Sequence, residues 1–148
     1  MPDKVLSRYF QLFNEVGILS QLSRAMLEAQ LGHGMLLPHF TVLNHLIRVG
    51  DGTTPLKLSS ALQVPKASLT HTLAGLVKAG YIEMRDNEKD KRSKCINITK
   101  AGRAFRDQAI RSLAPDFKEL AKEFSVDDVE AMLPALEQLR KILDRSRD

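Results

Sequence analysis

The sequence predicts a mainly α fold with one β-hairpin set between helices, on three observations. Apolar residues recur at helical spacing over both ends of the chain. Glycines and prolines at Gly50, Gly52, Pro55, Pro65 and Gly80 cut the middle into a series of short helices separated by turns. Two alternating stretches, "YIEMR" and "SKCINIT", then follow, joined by the charged run "RDNEKDKRSK" from Arg85 to Lys94.

From Lys4 to about Gln30, Val5, Tyr9, Leu12, Val16, Leu19 and Met26 fall near a 3.5-residue spacing, widened by Leu6, Phe10, Phe13 and Leu22. This predicts a long amphipathic helix. "LGHGMLLPHF" is a loop leading into a helix near Pro38 that continues through Leu43, Leu46 and Ile47. "GDGTTP" breaks it. A short helix is expected over Lys57 to Leu62, and Gln63-Val64-Pro65 turns the chain into the next one, "KASLTHTLAGLVKAG". At 100° per residue, Leu69, Leu73, Leu76 and Val77 share one face of that helix, while Ala67, Ser68, His71, Ala74, Gly75 and Lys78 share the other, flanked by Thr70 and Thr72. The small residues on the outer face would let the helix lie against another surface. Gly80 closes it with a left-handed cap.

In the hairpin, Cys95 and Asn97 face one way, Ile96 and Ile98 the other. Thr99 is placed to cap "KAGRAFRDQAIRSL", which should stop or bend before Pro115. Further on, Ser125 and Asp128 read as a capping box, and Val129, Met132, Leu136, Leu139 and Leu143 follow a strict heptad. Pro134 lies inside that pattern, so a kink or a later helix start is expected. The end segments either pack on the middle or pair with the same segments of a second chain, and two seams on 148 residues favour a homodimer.

Charge is unevenly spread. Residues 57–106 hold eleven basic and four acidic side chains, a balance of +7, against 0 before them and −3 after. A localised excess of this kind suits a phosphate-binding surface. No apolar run approaches the roughly 18 residues of a membrane span, and the start lacks a signal-peptide pattern, so a cytoplasmic protein is expected. The single Cys95 fits a reducing compartment.

Helix, short helix, turn, longer helix and charged hairpin is the order of a winged helix-turn-helix, here with long terminal helices for dimerisation. The expected parts are 1–36 (dimerisation helix and loop), 37–102 (DNA-binding domain) and 103–148 (dimerisation helices). In such a module the second helix of the pair enters the major groove and the hairpin reaches the neighbouring backbone or minor groove. Lys66, Ser68, Thr70, His71 and Thr72 supply donors and acceptors near that helix's N-terminus, where the dipole also favours phosphate. Arg85, Lys89, Lys91, Arg92 and Lys94 form the wing cluster.

The stretch from Ala67 to Gly102 resembles the core of the multiple antibiotic resistance regulator (MarR) family. The matching elements are Leu76, the Lys78-Ala79-Gly80-Tyr81-Ile82 step, Arg85, the Asp90-Lys91-Arg92 wing motif and Ile98-Thr99-Lys100-Ala101-Gly102. The resemblance implies a dimeric regulator on a pseudo-palindromic operator, with Arg92 entering the minor groove, Asp90 holding the wing, and Ser68, Thr70 and His71 reading the major groove. His71 departs from the family's common arginine and cannot make that residue's bidentate contact to guanine. Repression near its own promoter, relieved by a small aromatic ligand between the dimerisation helices and the DNA-binding lobe, is also implied. Tyr9, Phe13, His39 and Phe40, with Phe10, are candidates to line that cleft; dimer core is an equal reading of the same aromatics.

His33, His39 and His45 have six-residue spacings that match no compact metal pattern, so no metal or other cofactor is expected. Cys95 sits away from the N-terminal helix where redox-sensing members carry theirs, and is expected to be inert. Arg85 is also a candidate partner for Asp90 across the hairpin. No catalytic motif is present, which argues against an enzyme. The rival reading is a winged helix that serves protein contact instead of DNA.

Overall fold

The computed structural model describes residues 2–147. The chain forms two compact units, one up to Ser112 and one from Leu113 onward. The mainly α expectation holds, and the one two-stranded sheet is the hairpin.

In the first unit, α1 (Pro2–Glu28) precedes α2 (Leu37–Val49), α3 (Pro55–Leu62) and α4 (Lys66–Ala79). The N-terminal amides of α2 are capped by side chains. Leu36 N–H donates to Nδ1 of His39 at 2.8 Å and Leu37 N–H to Oε1 of Glu28 at 3.1 Å. Helix α3 begins at Pro55, earlier than the apolar spacing alone suggested, because Thr54 caps it by accepting from Lys57 N–H and proline suits the first helical position. Gln63, left-handed at φ 55°, ends it, and Ser59 donates its hydroxyl to the Val64 carbonyl at 2.7 Å to fix the turn. Gly80, at φ 79°, ends α4, with Tyr81 N–H reaching back to the Leu76 carbonyl.

Strands β1 (Ile82–Asp86) and β2 (Lys94–Ile98) pair antiparallel, with Ile82 opposite Ile98 and Met84 opposite Ile96. Residue Thr53 adds a bridge to Ile96, which the sequence pattern did not suggest. Gly52 N–H donates to the Ile96 carbonyl at 2.9 Å, Ile96 N–H to the Thr53 carbonyl at 2.8 Å, and Ile98 N–H to Oδ1 of Asp51 at 2.8 Å. The loop that breaks α2 therefore anchors the wing. Val42, Leu43, Leu46, Leu58, Leu69, Leu73, Leu76, Ile82 and Ile96 form the buried core, so α4 and the hairpin share one apolar base.

Helix α5 (Lys100–Arg111) is capped by the Thr99 hydroxyl, which accepts from Gly102 N–H at 3.0 Å and itself donates to the Gly80 carbonyl at 2.6 Å. It packs on α2, where Arg106 Nε donates to Asn44 at 3.2 Å.

The second unit holds α6 (Ala114–Glu123) and α7 (Val126–Arg145). Pro115 stands in the first turn of α6, as a proline can without losing a helical bond. Helix α7 starts at the Ser125–Asp128 capping box and runs through Pro134, so the later start is overturned: the two reciprocal cap bonds fix the start ahead of the proline. Among the described residues no helix is long and apolar enough to cross a membrane.

Candidate nucleic-acid interface

The first turn of α4 is its polar end. Its N-cap residue, Pro65, has no side-chain oxygen to satisfy the opening amides. Those N–H groups therefore have no side-chain cap, and the helix dipole makes this end attractive to anions. Lys66, Ser68, Thr70 and His71 are all exposed there. Thr70 donates its hydroxyl back to the Lys66 carbonyl at 2.9 Å, which leaves its oxygen as an acceptor. Thr72 differs from expectation. It is buried and donates to the Ser68 carbonyl at 3.0 Å, because its position on α4 turns it towards the core side.

Gly75 also has a different partner from the one expected. A methyl group there would lie 2.9 Å from Nε2 of His39, so the bare backbone of α4 accommodates a side chain of its own protein. His39 and His71 line one cavity with His33, Lys78 and Tyr81. Burial lowers the pKa of His39, and the charge of nearby His71 pushes the same way.

The wing tip is held by its own side chains. Asp90 Oδ1 accepts both the backbone N–H of Arg92 at 3.0 Å and its Nε at 3.2 Å. Asn87 Oδ1 accepts Lys89 N–H at 3.0 Å, and Asn87 Nδ2 reaches Ser93 Oγ at 3.2 Å. Arg92 nonetheless keeps 92% of its side chain exposed. Arg85 does not pair with Asp90. Its partner is Glu83 at 2.8 Å, two residues back on the same strand face, while Asp90 stands at the tip. Lys94 pairs with Asp86 directly across the ladder, and that partnership holds the Asp86 carboxyl below the usual carboxylate range. Exposed pairs of this kind are weakly held, so an incoming phosphate competes with them at small cost. Lys89 and Lys91 carry no ion pair among the described residues.

The candidate ligand residues are spread out. Tyr9 and Phe13 are exposed along α1, Phe40 is half-buried on α2, and His39 lines the cavity facing Gly75. A separate cavity of about 420 Å³ lies between α1, α2 and the start of α4, walled by Leu37, Pro38, Leu62 and Val64, with Arg24, Ser68 and Thr72 as polar groups. Neither Tyr9 nor Phe13 borders these two cavities. Nothing in the sequence pattern singles out Arg24, Asp51 or Asn87, whose roles arise from contacts between separate segments or within the turn. Among the described residues no group of three or more His, Cys, Asp or Glu is placed to hold a metal ion.

Comparison with known proteins gives this geometry a family. A sequence model described as the MarR family matches residues 33–93. The multiple antibiotic resistance protein MarR of Escherichia coli (strain K12) is 35% identical over 98 residues, 66% of either chain. The transcriptional activatory protein BadR of Rhodopseudomonas palustris is 27% identical over 142 residues, 94% of this chain and 78% of that one. Among solved structures, a cysteine-to-serine mutant of E. coli MarR complexed with operator DNA superposes with a TM-score of 0.69 at 25% identity, covering 89% of this chain and 95% of that one. Together with the winged helix described above, these likenesses show that the chain belongs to the MarR family of transcriptional regulators.

Proposed function

We propose that the protein is a homodimeric regulator that binds a pseudo-palindromic DNA operator in a sequence-specific way. The observation that carries the reading is the pairing of an exposed, uncapped α4 N-terminus with a wing whose Arg92 is held by Asp90 yet open to solvent. Lys66, Ser68, Thr70 and His71 then face the major groove, and Arg92, Lys94 and Arg85 the adjacent backbone or minor groove. Thr72 is a support for this face rather than a reader.

Dimerisation is supported by the apolar stripe of α1. Leu6, Phe10 and Leu22 are each more than 60% exposed in the single chain, and Val129, Leu136 and Leu143 on α7 are exposed as well. Full burial of such a side chain is worth about 1.5–3 kcal/mol, which makes uncovered seams of this length a strong drive to association. Residues 1–36 and 103–148 are thus assigned to dimerisation and 37–102 to DNA binding, in a cytoplasmic protein.

For control, we assign the effector to the cavity of about 420 Å³ beside α4. Its apolar walls suit a small aromatic ring, Arg24 suits an acidic substituent, and Ser68 and Thr72 connect it to the reading helix. Ligand binding there would release DNA, making the protein a repressor. The test is a binding titration with the duplex upstream of its own coding sequence and an unrelated duplex of equal length. Preference for the former supports the operator reading; equal affinity would overturn sequence-specific binding, and no binding to either would favour a protein-contact module.

A further inference from the structure

His39 is tied at both edges of its ring. Nδ1 accepts the Leu36 N–H at 2.8 Å, closing the first turn of α2, which requires that nitrogen to be unprotonated. Nε2 and Cδ2 lie over Gly75 in the middle of α4, where a methyl group would meet them at 2.9 and 3.5 Å. The ring therefore joins the start of one helix to the face of α4 that carries His71 and Lys78. Its surroundings are basic residues. His33 faces the cavity from the loop before α2, His71 and Lys78 from α4, and Tyr81 from the segment after it. The carboxylate that reaches this end of α2 is Glu28 of α1, and its Oε1 accepts the Leu37 N–H.

A proton on His39 would thus have three effects together. The Leu36 cap bond would be lost, since both ring nitrogens would be donors. A positive charge would appear in the cavity that holds Lys78 and His71, with no carboxylate on its lining. The close packing over Gly75 would then be the contact most easily given up. We infer that uncharged His39 is a positioning residue for α4, packing on Gly75 while capping α2, and that its protonation releases the recognition helix and weakens DNA binding in acid. This rests on the reading of α4 as the helix that meets DNA. Burial acts in the same direction by keeping His39 neutral to lower pH than an ordinary histidine.

Simple electrostatics predicts the opposite trend, because a protein that gains positive charge in acid is attracted more strongly to DNA. That contrast makes the test sharp. His39→Asn retains an acceptor near the position of Nδ1 and cannot titrate. Affinity of the full-length protein for the duplex upstream of its own coding sequence is measured at about pH 8 and about pH 5.5, on either side of the ordinary histidine value. Wild type should lose roughly three- to tenfold relative to His39→Asn over that interval, the effect of one lost cap. A ratio between the two proteins that stays constant with pH overturns the inference. The release is also read without DNA, as amide exchange in Ala74 to Ala79 that is faster in wild type than in the variant at about pH 5.5 and equal in the two at about pH 8. Equal exchange in both at the acid pH overturns it equally, whereas failure of wild type to bind the duplex at about pH 8 with the exchange difference present would remove only the operator reading.

Discussion

Asp90 holds Arg92 through a single oxygen that accepts both the backbone N–H at 3.0 Å and Nε at 3.2 Å. The aspartate thereby shapes the turn and aims the side chain at once. Asp90→Ala should lower DNA affinity severalfold by releasing Arg92, while stability changes by less than about 1 kcal/mol, since the pair is exposed. Parallel denaturant unfolding and DNA titration separate the two effects. A stability loss as large as the loss of affinity would mean that Asp90 serves the fold alone.

Among the glycines, Gly102 makes the tightest approach. A Cβ there would stand 2.1 Å from the Tyr81 carbonyl oxygen, which already accepts Thr99 N–H at 3.0 Å. Gly102→Ala should cost about 2 kcal/mol or more, because a backbone carbonyl has to move and the helix-propensity gain of about 1 kcal/mol cannot offset it. A midpoint of urea unfolding equal to that of wild type would contradict this packing.

Gly75 offers a gentler contrast, since its neighbour is a ring that can shift. In a His39→Ala background, Gly75→Ala should stabilise by roughly 0.5–1 kcal/mol through helix propensity. With His39 present that gain should vanish or reverse. The four proteins make a double-mutant cycle, and a coupling energy near zero would show that the ring does not rest on α4.

Acid should weaken the fold through two histidines. Burial is the main cause of the lowered pKa at both His39 and His45, with His71 adding to the first and Arg48 to the second. The unfolded chain, with ordinary histidines near about 6.5, then binds more protons than the folded one below that value. Their contribution is complete above about pH 6.5 and is lost as pH falls through the lowered folded values. Thermal unfolding between about pH 8 and pH 5.5 should show a falling midpoint, with a shallower fall in His39→Asn. A midpoint that rises on acidification would contradict the burial of these rings.

Much of the site is legible because its elements are local. Pro65 and Gly80 bracket α4, the alternation around Ile82 and Ile96 marks the hairpin, and Asp90 to Arg92 is a three-residue motif. What escapes the sequence is mainly pairing across distance. Asp51 reaches Ile98 over 47 residues, and no periodicity records that bond. The expected Arg85–Asp90 pair fails for a nearer reason: Glu83 shares the strand face with Arg85, whereas Asp90 is committed to the tip. Thr54 and Pro55 read as a break after α2 and are also the cap and first residue of α3, a double use that single-position signals do not reveal.

On the proposed reading, the α4 face and the wing form one DNA-binding surface. It is tested most directly by titrating wild type and Arg92→Ala against the duplex upstream of the coding sequence at several salt concentrations. The logarithm of affinity should fall linearly with that of salt, and Arg92→Ala should bind more weakly with a slope reduced by about one. An affinity and salt slope untouched by Arg92→Ala would mean that the wing does not meet DNA.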